Sequence, residues 1–275
     1  MATEPGIVHA QIFELELLGD SIERRYRKMR PEVDAMPWGT FEVRGIGHDA
    51  LVQARKAWTH AAFQEHRTGI ACAAALRALF ECRAPVDLIA MAARFPLDEL
   101  AHVEMCARMA MELGGGTEIL HDPDELIVDS PSTLSPLMRA ADMIVRFFCV
   151  GEALSIPLLR ATWKVARHPL PRAVLGCIVK DEAAHGTFGF EFLDWAHPLL
   201  SQDDRNHLGS AADRAIRAVE RQWASLRRSR SVAYDEQMGD ALGWMRTDAY
   251  LELAERAMRE RVREPLLLRG IPIKA

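Results

Sequence analysis

The chain has 275 residues, 49% of them hydrophobic and 27% charged, with a formal net charge of −5. This balance fits a soluble globular protein, and its negative sign disfavours nucleic-acid or anionic-membrane binding as the main activity. No stretch approaches 18 uncharged apolar residues, so no membrane span is expected, and Met1–Gly6 lacks the pattern of a secretory signal.

Nearly everything downstream reads as helix. Val8 to Arg30 is amphipathic and ends at Pro31, and residues 31–47, with Pro31, Pro37, Gly39, Gly45 and Gly47, read as an irregular crossing segment. An alanine-rich helix is predicted from Asp49 to Cys82. A second runs from Pro85 to Leu113 and stops at Gly114-Gly115-Gly116, with Pro96 predicting a kink or break inside it. Residues 114–135 form a long connection. A third helix is expected from Pro136 to Arg167, distorted near Pro157, and a fourth from Pro171 to Trp195. Two more follow, Asp203–Arg227 and Glu236–Arg263. The chain thus divides into an N-terminal segment, 1–48, a helical core, 49–200, and C-terminal helices, 201–275, packed together as one domain.

The five cysteines, Cys72, Cys82, Cys106, Cys149 and Cys177, are odd in number and mostly set in apolar helical runs. They read as reduced thiols of a cytoplasmic protein. The lack of a Cys-x-x-Cys pair removes rubredoxin-type iron centres and zinc ribbons from consideration.

One phrase occurs twice. Asp98-Glu99-Leu100-Ala101-His102 and Asp181-Glu182-Ala183-Ala184-His185 lie 83 residues apart, and each follows a lone helical glutamate, Glu65 or Glu152. Glu and His at i and i+3 share a helix face, so one helix can present both to a metal ion. Four carboxylates and two imidazoles in this order are the ligand set of a two-metal site inside a four-helix bundle. Glu65 and Glu152 are 87 residues apart, close to the 83-residue offset of the two phrases, as two copies of a helix pair joined by a long crossover would give.

A bare Glu-x-x-His is weak: with 22 glutamates and 10 histidines, composition alone yields about one. Glu118-x-x-His121 is that copy, on an expected loop. His197 and His207 lie at or beyond helix ends and read as surface residues. The other two copies stand apart because their surroundings are apolar at helical spacing. Glu65 shares its face with Trp58, Ala62, Gly69, Cys72 and Leu76, and Glu99 and His102 with Ala92, Phe95, Cys106, Met109 and Leu113. Glu152 follows Val145 and Cys149 and precedes Ile156, Leu159 and Trp163. Glu182 and His185 lie among Leu175, Ile178, Gly189 and Phe192. No lysine or arginine lies on these stripes, and burying such carboxylates unpaired costs several kcal/mol each, on the order of the desolvation penalty. Two divalent cations would offset it; protonated or hydrogen-bonded core polar groups are the alternative. Asp98 and Asp181, about 100° round the helix from the adjacent glutamates, are placed to accept the free ring N–H of a ligating histidine or to face solvent.

At Glu65, Glu99-x-x-His102, Glu152 and Glu182-x-x-His185 the chain resembles the ferritin-like di-iron carboxylate superfamily, over about residues 49–196. The resemblance implies an all-α, ferritin-like four-helix bundle with a long crossover between helix pairs and extra N- and C-terminal helices. It implies that Glu65 and His102 serve one metal, Glu152 and His185 the other, with Glu99 and Glu182 bridging, and that Asp98 and Asp181 support the histidines. The implied cofactor is two iron ions, with Mn/Fe or manganese also compatible. The oxygenase and oxidase branch is closest in style, implying O2, a small or elongated organic substrate and an electron donor as partners, with a homodimer allowed.

Departures narrow the chemistry. The tyrosines are Tyr26, Tyr234 and Tyr250, and Cys106 stands where a reductase small subunit carries its radical tyrosine. Ile156 replaces the threonine of methane and toluene monooxygenases, and Ile178 the third histidine of arylamine N-oxygenases. Gly69 and Gly189 either leave room for substrate or permit close helix packing. The alternatives are an iron- or peroxide-handling protein like ferritin or rubrerythrin, and a metal-stabilised protein without chemistry. A tRNA hydroxylase, which the basic run Arg227-Arg228-Ser229-Arg230 might suggest, is disfavoured by the overall acidity.

Overall fold

Alanine and leucine dominate the long segments of the chain, and these strong helix formers wind into long helices. The computed structural model describes residues 10–228 and 236–274, so the readings at Met1–Gly6, Val8, Ser229, Arg230 and Tyr234 lie outside it. The described residues are almost entirely helical. β1 (Gln11–Ile12) precedes α1 (Asp20–Met29), α2 (Glu32–Ala35), α3 (His48–Glu81) and α4 (Val86–Glu112). After β2 (Leu120–His121) come α5 (Pro136–Ile144), a π-helical segment (Val145–Glu152), α6 (Ala153–Val165), α7 (Pro169–Ala196) and α8 (Gln202–Arg228). The chain closes with α9 (Glu236–Leu242), α10 (Thr247–Ala257), a second π segment (Met258–Arg263) and α11 (Glu264–Leu268).

α3 and α4 fold back on each other along their length, and the α5–π–α6 rod pairs likewise with α7. The two pairs meet where α3 touches α5 and α4 touches α7. The C-terminal helices complete the far side: α8 lies on α5 and the first π segment, and α10 on α6. Among the described residues, no helix is long and apolar enough to cross a membrane. All five cysteines are free thiols.

Three expectations are corrected. The helix predicted from Val8 begins only at Asp20. Residues Gln11 and Ile12 instead pair antiparallel with His121 and Leu120, a distant partner that overrides local amphipathicity, and Gly19 (φ 82°) marks the change of direction. The helix expected over Glu236–Arg263 is divided at Gly243, whose φ of 82° suits glycine and whose backbone lies so near the Thr162 carbonyl that a Cβ would overlap it. The third helix is distorted, but ahead of Glu152 rather than at Pro157. Pro157 stays inside α6, and Pro96 inside an unbroken α4. Proline leaves a carbonyl one turn earlier without a donor, and the Ser155 hydroxyl donates to the Glu152 carbonyl at 3.0 Å.

The glycines serve close packing. A Cβ on Gly69 would sit 3.3 Å from the Glu99 Cβ, bringing α3 hard against α4. A Cβ on Gly189 would lie 2.8 Å from Cys149 Sγ and 2.9 Å from its backbone nitrogen, so α7 meets the π segment backbone to backbone.

The apolar interior forms two clusters. One holds Phe95, Phe148, Phe188 and Phe192, and the other Trp58, Met105, Met109 and Ile178. Along α3, α4 and α7 the chain passes from one cluster to the other, and in every case the conspicuous glutamates lie between them. Because the α7–π contact has no space for a methyl group, Gly189→Ala is expected to lower stability by about 1–3 kcal/mol, an overpacking cost, measurable by urea denaturation.

Candidate metal centre

Helical periodicity turns each carboxylate and imidazole inward, and the two helix pairs deliver them to one place. Glu99, His102, Glu182 and His185 are almost fully buried and Glu152 is 9% exposed. Glu65 is the open member, its side chain 17% exposed. Its stripe partners Trp58, Ala62 and Cys72 are buried, as are those of Glu99 and Glu182. The Glu152 stripe differs: Val145 and Cys149 are buried, but Ile156, Leu159 and Trp163 are only half-buried.

Both histidines turn Nδ1 toward the carboxylates. His102 Nδ1 lies 3.6 Å from Glu99 Oε2, 3.3 Å from Glu182 Oε1 and 3.9 Å from Glu65 Oε2. His185 Nδ1 lies 3.0 Å from Glu99 Oε1 and 3.2 Å from Glu182 Oε2. Each of these two glutamates therefore offers one oxygen to each histidine. Ligand atoms gather in two groups, Glu65–Glu99–His102–Glu182 and Glu152–Glu182–His185, each within a span of 4.8 Å. All six sequence-predicted ligands are brought together. Glu118 is exposed and His121 lies on β2 against Phe63, so that third Glu-x-x-His stays outside the centre. His197 is exposed as expected, whereas His207 is part-buried, 3.3 Å from Asp142.

The aspartates pair crosswise. Asp181 on α7 lies 3.4 Å from Nε2 of His102 on α4, and Asp98 on α4 lies 3.5 Å from Nε2 of His185 on α7. The turn of about 100° that removes each aspartate from its own glutamate's face aims it at the neighbouring helix. Their charge is balanced by a residue the ligand stripes did not reveal. Arg30, at the C-terminal end of α1 and 4% exposed, places Nη1 2.5 Å from Asp98 Oδ1 and Nη2 2.5 Å from Asp181 Oδ2. Arg94 adds a second, more exposed contact to each, at 3.1 and 2.9 Å, and Glu32 holds the remaining Arg30 nitrogen. The sequence signal for Arg30 is slight: a basic residue at a helix end before proline.

Protonation follows this geometry. Burial and the nearby Glu99 charge push Glu65 well above the usual carboxylate range; burial and the Glu182 and Glu99 charges do the same to Glu152. Burial opposes ionisation of Glu182, but the adjacent His102 and His185 imidazoles hold it below its ordinary value. Burial disfavours a charged imidazole at His102, yet Asp181, Glu182 and Glu99 raise it well above normal. His185 is similarly pushed up to about 12 by Asp98, Glu182 and Glu99 against the effect of burial. At Asp181 the His102 hydrogen bond and Arg30 outweigh burial and bring the carboxyl down to about 2.

Metal binding can be tested against the polar atoms themselves. Both oxygens of Glu99, Oε2 of Glu182 and Nδ1 of both histidines are buried and have no hydrogen-bond partner. Such atoms normally find one, and here the five converge on one small volume. Carboxylate oxygens with imidazole nitrogens suit iron or manganese and also accept zinc. A neighbouring group, Glu32–Cys177–Asp181, also has ligand spacing, but Arg30 already pairs with both of its carboxylates. No protein-family model matches the chain, and comparison with curated proteins gives no significant match.

Two outcomes are expected. Arg30→Ala leaves two buried aspartates with only Arg94, and should cost about 3 kcal/mol, the low end for breaking a buried ion pair, in chemical denaturation. It should also weaken metal binding by about tenfold or more through the loosened histidines. His185, pushed up to about 12, holds a proton that a metal must displace, so affinity should rise with pH. Zinc titrations in buffers of different ionisation enthalpy should record net proton release.

Proposed function

We propose that this chain is a ferritin-like di-metal carboxylate protein: a four-helix bundle of α3, α4, α5–π–α6 and α7 that holds two iron ions, or iron and manganese, and activates O2. The observation that carries the reading is the convergence of Glu99 Oε1 and Oε2, Glu182 Oε2 and the two histidine Nδ1 atoms, all buried and unpartnered. Unpaired buried carboxylates are costly without cations, and no basic side chain reaches Glu65, Glu99, Glu152 or Glu182 other than the two histidines themselves among the described residues.

In this reading Glu65, Glu99, His102 and Glu182 would hold one metal, and Glu152, His185 and the shared Glu182 the other. Reduced iron, when bound, supplies the electrons for O2 chemistry. The protein's own part is arrangement. Asp181 and Asp98 accept the Nε2 protons and fix the imidazole rings. Arg30 holds both aspartates in place. The two apolar clusters exclude water from most of the centre, while partly exposed Glu65 leaves one side open to small molecules. The organic substrate and an electron donor complete the proposed reaction, and no tyrosine of the described residues is among the buried groups.

Metal analysis and anaerobic iron loading test the proposal. The wild type should hold two metal ions per chain and consume O2 on mixing, with an optical change that returns on re-reduction. Glu99→Ala or His185→Ala should remove most of the metal, because Glu99 faces both sites and His185 is the sole imidazole of its group. Wild-type metal content in either variant would sink the assignment. Iron accumulation far beyond two per chain would favour storage, and tight binding without O2 consumption a structural role.

A further inference from the structure

A cavity of about 630 Å³ opens beside the proposed centre, among α6, α7, α10, the second π segment and α11. Its size falls within the range of about 300–1,000 Å³ typical of small-ligand pockets. The inner surface is apolar, formed by Ala153, Ile156, Ala183, Gly186, Phe190 and Leu253. Four of these residues immediately follow, or lie within one helical turn of, Glu152 and Glu182. The ligands themselves do not line it. Ile156 closes the floor, seated so tightly against Gly186 that a Cβ on this glycine would overlap its side chain. This is why the Glu152 stripe, buried on the N-terminal side, is half-open beyond it.

The rim has the opposite character. Arg160, Lys164, Arg256 and Arg261 line the cavity, are exposed, and form no ion pair or side-chain hydrogen bond with the described residues. The fifth cation, Arg269, is engaged with Asp194 at 2.7 and 2.8 Å, and the acid among the lining residues, Glu260, pairs with Arg259. Four positive charges without an ion-pair partner among the described residues thus line one apolar recess on a chain whose net charge is −5. Converging cations strengthen hydrogen bonds to a carboxylate or phosphate, and low-dielectric walls focus their field.

We propose that this cavity binds a free organic anion with an apolar body, its head held by Arg160, Lys164, Arg256 and Arg261 and its body lying over Ile156 and Phe190 toward the metal centre. The binding site stands on the cavity alone; that its occupant is the substrate of the centre rests on the function proposed above. Ile156 is then the specificity-determining wall between occupant and centre.

Calorimetric titration of the full-length, metal-free protein with decanoate and with 1-decanol tests the site. Decanoate should bind saturably, one per chain, and more tightly than decanol. The double substitution Lys164→Glu with Arg256→Glu, at exposed positions, should weaken decanoate about tenfold or more while leaving decanol and the melting temperature unchanged. Ala161→Phe, which fills the cavity, should weaken both. No saturable binding, equal affinity for decanol, or indifference to charge reversal would overturn the proposal. So would retention on phosphatidylglycerol vesicles that decanoate fails to displace, which would assign the cations to a lipid surface. Metal uptake is measured on iron-loaded samples of the same protein. Two metals per chain without decanoate binding would overturn the cavity assignment and spare the centre; decanoate binding without metal binding would support the cavity and overturn the centre.

Discussion

Four carboxylates meet inside an apolar interior, and their mutual repulsion is the constraint around which the protein is arranged. Glu65, Glu99 and Glu182 lie between two hydrophobic clusters and Glu152 gathers beside Glu182, so water screens them little except at part-exposed Glu65. Two histidines moderate the repulsion, and the raised proton affinity of Glu65 and Glu152 moderates it further. Both devices leave oxygens unpartnered. The surrounding structure then works to keep the imidazoles still: aspartates hold the rings, Arg30 holds the aspartates, and α1 carries Arg30 into the interior.

What could be read from the sequence follows from how far each signal travels along the chain. Glu99 with His102, and Glu182 with His185, are separated by less than one helical turn, so periodicity alone assigns them a common inward face. The apolar stripes extend this to Glu65 and Glu152. The crossed aspartate–histidine pairs depend on the docking of α4 against α7, which no local pattern encodes. Arg30 reaches partners 68 and 151 residues away. The same limit explains the N-terminus, where pairing of Gln11 and Ile12 with the distant β2 replaces a plausible helix.

Proline does not mark where the α5–π–α6 rod departs from regular helix. Pro157 lies within regular helix, while the wide turns occupy Val145–Glu152, where the rod meets Gly189. Near backbone contact with α7 bounds this stretch on one side, and the Ser155 hydroxyl donates to the Glu152 carbonyl at its end. The result is asymmetry between otherwise similar halves. Glu65 faces partly toward solvent, whereas the helix that carries Glu152 leads into a recess rimmed with positive charge. Glycine participates differently at each point: Gly69 and Gly189 draw helices together, and Gly186 gives Ile156 its seat.

The exchange of aspartates between α4 and α7 has the form of a two-fold relation: what the first half gives to the second, the second returns to the first. Arg30 lies where such an axis would pass, touching both aspartates at the same 2.5 Å. A lone α3–α4 hairpin would have a histidine without its aspartate and an aspartate without its histidine. Docked against a second copy of itself, it would regain both contacts, as any self-complementary surface does. The repeated pentapeptide therefore sets the same aspartate–histidine exchange on both sides of the contact between α4 and α7.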